Sequence, residues 1–294
     1  MARTVPQLHT AYRECRLITR RAATNFYYAF ITLPARKRRA IYATYAFCRL
    51  CDDASDVQMP REEKLARLDS LRSSLSAAYT GRPDGPVFTA LADTASVFEI
   101  PEEYFQEVVS GVEMDLTKTR YQDFDELRTY CYRVASVVGL ACLHIFGFSE
   151  PRAREYAVDL GLAMQITNIM RDVQEDMERD RVYLPLDEIR STGYSVEELR
   201  QRVLNDPFRG LMAIQARRAR AYYESGAKLM PLLSPRSRAC PAVLGRLYSL
   251  ILDRIERQSF DVFTGRVGLS RREKYLVTVQ TWIRSLLPMA QHPT

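Results

Sequence analysis

Apolar residues recur with a 3.6-residue period along nearly the whole chain, which predicts helix after helix. Pro34, Pro60, Pro101, Pro151 and Pro207 punctuate these segments, and a proline is well tolerated in the first turn of a helix. Ser195-Val-Glu-Glu198 and Ser270-Arg-Arg-Glu273 read as capping boxes, in which each side chain satisfies N–H groups left free at a helix start. Loops are expected over 80–86 and 183–195. No sustained alternation with hairpin turns is present, so strands should be nearly absent. The stretch 134–148 is uncharged and apolar all round, which predicts a central helix buried by the others. It is shorter than the about 20 residues of an ordinary membrane span. The pattern gives one all-α domain over residues 1–294, with roughly ten helices and no linker.

Composition supports this picture. Of 294 residues 47% are hydrophobic and 27% charged, enough for a sizeable core, while 12 Gly and 14 Pro are a thin supply for an all-β fold. Three histidines, His9, His144 and His292, exclude a His-rich metal site and leave little for a His-based triad. The net charge of +6 is carried by 37 Arg against 5 Lys. Arginine's planar fork suits phosphate, although most of these residues read as solvated helix surface. No aromatic-interleaved basic patch points to nucleic acid. Cys48 and Cys51 form a lone CxxC within a helical pattern and read as packed thiols. With no apolar leader at the N-terminus, a cytoplasmic protein with reduced thiols is expected.

Two acidic segments change the picture. On a helix Asp52 shares a face with Asp56, and Asp172 with Asp176. Gln165, Asn168, Asp172 and Asp176 follow the 3-4-4 spacing of one polar stripe, flanked by apolar Ile166, Ile169, Met170 and Val173. Like charges at this spacing cost a helix about 0.2–0.5 kcal/mol, a penalty that a divalent cation reverses. Mg²⁺ takes oxygen ligands and is held by one or two carboxylates together with substrate phosphates. Two facing acidic helices, each with an arginine close by (Arg49 and Arg171), therefore suggest a diphosphate held through Mg²⁺.

The residues also carry a resemblance. Asn25-Phe-Tyr-Tyr-Ala-Phe30, Leu33-Pro34 and Tyr45-Ala-Phe-Cys-Arg49 leading to Asp52, Asp53 and Asp56 resemble the first signature of the squalene/phytoene synthase family. Tyr130-Cys-Tyr-Arg-Val-Ala135 with Gly139 is similar to its central-helix motif, and Gly111-Val-Glu-Met-Asp115 to another of its stretches. The segment from Leu160 to Asp176, followed by Arg179-Asp-Arg-Val-Tyr-Leu-Pro185, resembles its second signature. The resemblance implies an isoprenoid-synthase helical bundle with a central apolar cavity and head-to-head joining of two prenyl diphosphates. It implies Mg²⁺–diphosphate positions at Asp52, Asp56, Asn168, Asp172 and Asp176. It further implies substrate or diphosphate contacts at Tyr45, Arg49, Gln165, Arg171, Arg181, Tyr248 and Arg266, and places Tyr130 facing the cavity. Two departures stand out. Ala22-Ala23-Thr24-Asn25 replaces a His-Ser-x-Ser stretch common in relatives, and Arg179-Asp180-Arg181 replaces Arg-Gly-Arg.

Ionising an allylic diphosphate needs its leaving charge neutralised, a task for the cation cluster with Arg49, Arg171 and Arg266. The aromatic faces of Phe26, Phe30, Tyr45 and Tyr130 could then shield a carbocation, each contributing on the order of 0.5–2 kcal/mol. Tyr45, Arg49, Tyr130 and Arg171 are thus the expected catalytic set. The bulk of Phe26 and Phe30 favours farnesyl over geranylgeranyl chains, with presqualene diphosphate, squalene or dehydrosqualene as product. The alternative is a phytoene synthase acting on geranylgeranyl diphosphate; a non-catalytic assembly factor is the remote one. NADPH is left open as a hydride donor, without a GxGxxG motif to support it. Insoluble products suggest peripheral contact with the inner face of a membrane and hand-over to downstream terpenoid enzymes.

Overall fold

The computed structural model describes residues 5–23 and 26–286. These form fifteen α-helical segments, one π-helical turn and one 3₁₀ turn, with two isolated bridges in place of strands. The all-α expectation holds. The larger number of helices arises because several expected helices are interrupted.

At the centre runs Phe124–Phe146, α-helical at both ends and π-helical over Tyr132–Ser136. It is long and apolar enough to cross a membrane by length and composition, but it lies within the bundle, packed on the Ala35–Asp56, Glu102–Thr117 and Ala153–Arg171 helices. It starts ten residues before the uncharged stretch and ends two residues before Phe148. Gly147 stops it with φ 73°, in the left-handed region, and Phe148 instead bridges to Leu233.

The Ala153–Arg171 helix crosses this central helix at very short range. A Cβ on Gly161 would lie 2.7 Å from the Cα of Ser136, and one on Gly139 would lie 3.2 Å from the Ala157 carbonyl oxygen. Only glycine permits that approach. Ser136 Oγ donates to the Val158 carbonyl at 2.8 Å and ties the two helices together. Asp206–Ala227 packs along the outer side of Ala153–Arg171, while Ala35–Asp56 packs on the N-terminal Val5–Ala22 helix and on the central helix. One core gathers round Phe47, Leu91, Phe105 and Leu143, the other round Leu162, Phe208, Met212 and Leu252.

Local signals act as expected. Pro34, Pro60 and Pro101 sit at helix N-caps and Pro207 in a first turn. The Ser270 box closes, with Ser270 N donating to Glu273 Oε2 at 2.7 Å and Glu273 N to Ser270 Oγ at 3.3 Å. At Ser195 half of it forms, Ser195 Oγ accepting from Glu198 N at 3.1 Å while the Glu198 carboxylate takes the Ser195 hydroxyl. The 183–195 segment is not wholly loop, since Leu186–Ser191 turns helical directly after Pro185. All six cysteines are free thiols, Cys48 and Cys51 included, as their packed positions imply.

Candidate functional site

Between the Ala35–Asp56, central, Ala153–Arg171 and Ala239–Arg257 helices lies an apolar cavity of about 280 Å³. Helical register orders its walls. Asp52 on one helix and Gln165 and Asn168 on another stand at the mouth, while Ile41 and Ala157 lie farther back on the same helices, with Pro241 of the Ala239–Arg257 helix also in the lining. Eleven residues separate Asn168 from Ala157, a depth of about 16 Å at 1.5 Å per residue. Cys142, Phe146 and Leu229 complete the floor.

The mouth is acidic. Asp52 and Asp176 come from opposite helices, and both carboxyl groups are pushed up to about 7. Burial is the main cause; next comes attraction to Arg49 for Asp52, which works against the rise, and repulsion from Asp172 for Asp176. Asp52 keeps a water-accessible edge although protein surrounds it at longer range. Asp115 acts on both carboxylates, so it stands between the two acidic helices. Its own carboxyl is raised by burial, against the pull of Arg181 and of hydrogen bonds from Tyr183 and Tyr130. Those hydroxyls donate to it at 2.7 and 3.3 Å, and the two rings stack at 4.9 Å with Tyr121 alongside Tyr183 at 5.7 Å.

The second acidic stripe is bent. The Ala153–Arg171 helix ends at Asp172 and a short helix, Val173–Glu178, follows. Asp172 N still donates to the Asn168 carbonyl and Asp176 N to that of Asp172, both at 2.9 Å, so the four-residue register survives the break. Arg171 Nε donates to the Asp172 carboxylate at 2.8 Å, and Arg266 spans Asp172 at 3.2 Å and Glu175 at 3.3 Å. Arg179 reaches across to Asp56 at 4.0 Å. Arg49 ion-pairs with Asp53, one turn along its own helix, rather than with Asp52 or Asp56.

Most of the residues expected at the site therefore converge on it. Phe26, Phe30, Tyr45 and Gln165 line the cavity, and Phe26 packs on Tyr45 at 5.9 Å and on Tyr248 at 6.0 Å. Burial and the nearby Asp52 push the Tyr45 hydroxyl up to about 12. Tyr248 is buried and interacts with Arg171. Arg181 donates to the Asp115 carbonyl at 3.2 Å. Tyr130 is placed differently: its ring belongs to the tyrosine stack beside Asp115 and its hydroxyl donates to that carboxylate, so it meets the acidic mouth and is not among the residues lining the apolar cavity. Thr24 and Asn25 lie outside the described residues. Asp115, Tyr183 and Lys274 were not singled out from the sequence as site residues. Asp115 has no acidic partner one turn away, and only its place in the Gly111–Asp115 stretch marks it. Lys274 lies on the last helix, Arg271–Leu286; burial lowers its ammonium pKa, followed by the charges of Arg171 and Arg271.

The donor set suits a hard cation. The Asn168 side-chain oxygen is buried with no hydrogen-bond partner, while Asn168 Nδ2 donates to Gln165 at 3.2 Å. Among the described residues no three acidic, histidine or cysteine side chains converge closely enough to cage an ion by themselves. The unpartnered Asn168 oxygen is a hard donor of the kind Mg²⁺ takes, an ion that completes its shell with water and substrate phosphate.

Comparison with known proteins agrees with this geometry. The family model of squalene/phytoene synthase matches residues 19–273. A phytoene synthase from Arthrospira platensis is 37% identical over 303 residues, covering 98% of this chain and 95% of that one. One from Mycobacterium tuberculosis is 39% identical over 271 residues, covering 91% and 89%. Among solved structures, a dehydrosqualene synthase in complex with ligand superposes with a TM-score of 0.87 at 28% identity, over 95% of this chain and 99% of that one. A squalene synthase from Alicyclobacillus acidocaldarius gives 0.83 at 29% identity, over 87% and 97%.

Proposed function

We propose that this chain, which belongs to the squalene/phytoene synthase family, joins two geranylgeranyl diphosphates head to head to form phytoene. Head-to-head prenyl transfer follows from the family. The C20 substrate is supported by the phytoene synthases among its relatives, at 35–39% identity. This reading replaces the farnesyl preference drawn from the bulk of Phe26 and Phe30. Phe26 leans on Tyr45 and Tyr248, and Phe30 on Tyr42 and Tyr45, so both rings form a side wall. The floor is left to Ile41, Cys142, Phe146, Leu229 and Pro241.

The observation that carries the reading is an apolar cavity whose one polar end gathers Asp52, Asp115, Asn168 and Asp176 beside Arg171. Asp52 and Asp56 on one side and Asn168, Asp172 and Asp176 on the other would hold Mg²⁺ together with diphosphate. The ion would supply positive charge against the leaving group. Arg171 and Arg266 sit on Asp172, within the acidic mouth where the diphosphate would be held. Scission of the first C–O bond leaves an allylic cation, which the double bond of the second substrate attacks with loss of a proton, closing a cyclopropane. The second scission, rearrangement and loss of another proton give the C40 hydrocarbon without a reductant. Throughout, Phe26, Phe30 and Tyr45 present ring faces to the cation and keep water out. Asp115, held by Tyr130 and Tyr183, adds negative charge at the mouth and positions Arg181 beside it.

Incubating the protein with Mg²⁺ and either geranylgeranyl or farnesyl diphosphate tests this. A C40 product whose mass is unchanged by NADPH is expected; C30 products alone would overturn the C20 reading, and no condensation with either would overturn the enzyme reading.

A further inference from the structure

The Val5–Ala22 helix carries His9, Arg13, Arg16 and Arg20 at spacings of four, three and four, a single stripe down one face. The arginines of this stripe are exposed, and Leu17 stands exposed among them. Across a cleft of about 500 Å³ stand Arg38 and Arg39 of the next long helix, with Tyr27 and exposed Ile31 between. Among the described residues Arg13, Arg16, Arg38 and Arg39 form no ion pair; Arg39 lies 5.7 Å from the centre of the Tyr12 ring and Arg38 donates to the Ile31 carbonyl at 3.3 Å. A row of guanidinium groups without carboxylates repels itself, and a surface that keeps it is complementary to a polyanion.

The last helix, Arg271–Leu286, shows a second feature. Tyr275 is 62% exposed, Leu276 56%, Ile283 53% and Trp282, the chain's one tryptophan, 44%. Positions i, i+1, i+7 and i+8 share one face, and Arg272 and Arg284 are exposed on the same helix. Its one acidic residue, Glu273, is occupied by Ser270 and Arg254 and does not oppose an anion.

Both features meet at the short Phe26–Phe30 helix. Phe26 and Phe30 wall the hydrocarbon cavity, Tyr27 lines the arginine cleft, and the last helix packs against the same turn.

We propose that the arginine cleft and the apolar face of the last helix together dock the protein on an anionic lipid bilayer. Arginines without ion-pair partners match lipid phosphates, and their exposed neighbours Leu17 and Ile31 are single apolar side chains suited to dipping into the headgroup layer. Tyr275 and Trp282 have the amphipathic rings that settle at that depth. The inference deepens the proposed reaction by giving its water-insoluble product a place to go, with one short helix between the cavity and the lipid.

The full chain is sedimented without substrate on vesicles of phosphatidylcholine alone and of equimolar phosphatidylcholine and phosphatidylglycerol. Two double variants, R13E/R16E and W282S/I283S, are compared, with thermal melting as a check of folding and turnover in detergent as a check of the site. Binding to the anionic vesicles that weakens at high salt and falls tenfold or more in each variant, with melting and detergent turnover unchanged, supports the surface. No binding to anionic vesicles, equal binding to neutral ones, or loss in one variant only overturns it. So does saturable binding of inorganic diphosphate in the cleft without vesicle binding, which assigns the cleft to a free polyanion. Because no substrate is present, failure here leaves the proposed reaction standing, and an inactive protein that still sediments leaves the surface standing.

Discussion

Replacing Asp176 by Asn should stabilise the metal-free protein while abolishing its turnover. The Asp176 side chain makes no hydrogen bond among the described residues, so the change removes charge and little else. Its carboxyl is raised to about 7 by burial and by Asp172. A carboxyl raised on folding contributes its full stability below its unfolded value, about 3.9, and loses it as the pH climbs through the folded value. The metal-free wild type is therefore penalised across the window from about 4 to 7, fully so above it. The gap of roughly 3 units sets an upper figure of ~4 kcal/mol. Water reaching the mouth screens the charge and brings this down to about 1–2 kcal/mol. Melting in EDTA should place Asp176→Asn above wild type at pH 8 by about 2–8 °C, with a smaller difference at pH 5. Adding Mg²⁺ and inorganic diphosphate should reverse the order, since only the wild type gains the full binding energy. A variant no more stable than wild type at pH 8, or offset equally at both pH values, would refute the reasoning.

Arg171→Met should lower single-turnover diphosphate release about 10²–10³-fold, the cost of losing one preorganised charge at a developing anion, with helicity by circular dichroism unchanged. Cys142→Phe places a ring on the cavity floor, so C40 formation should fall at least tenfold relative to any C30 formation when products are identified by mass. Gly161→Ala pushes a methyl group to 2.7 Å from the Ser136 Cα and should cost about 1–3 kcal/mol in denaturant unfolding, because backbone and not a flexible side chain is in the way.

What the sequence made legible was local. Caps at Pro34, Ser195 and Ser270, the helical period, and the pairing of Asp52 with Asp56 and of Asp172 with Asp176 are set within one or two turns, and each stands in the fold as expected. Even the bend at Asp172 leaves the pairing intact, since backbone bonds carry the register across it. Features built from distant segments were not legible in this way. Asp115, Tyr130 and Tyr183 come from three separate parts of the chain, and no spacing announces that two hydroxyls will close on one carboxylate. The π-helical turn at Tyr132–Ser136 has no local marker either.

Substrate length shows the same division. That Phe26 and Phe30 are large is evident from their letters, and that their helix lines a cavity is what the family resemblance implies. Whether a ring shortens a tunnel or merely lines it depends on its direction relative to the tunnel axis. That direction is set by what the ring leans on. Tyr45 and Tyr248 pack on Phe26, and Tyr42 and Tyr45 on Phe30. Depth is then limited by residues a turn or more beyond them, and those at the floor include the small Cys142 and Ala157 beside Gly139. The close helix crossing that Gly139 and Gly161 permit places these small residues at the floor. On the proposed C20 reading, packing between these two helices, more than the bulk of either phenylalanine, would set the length of chain the cavity admits.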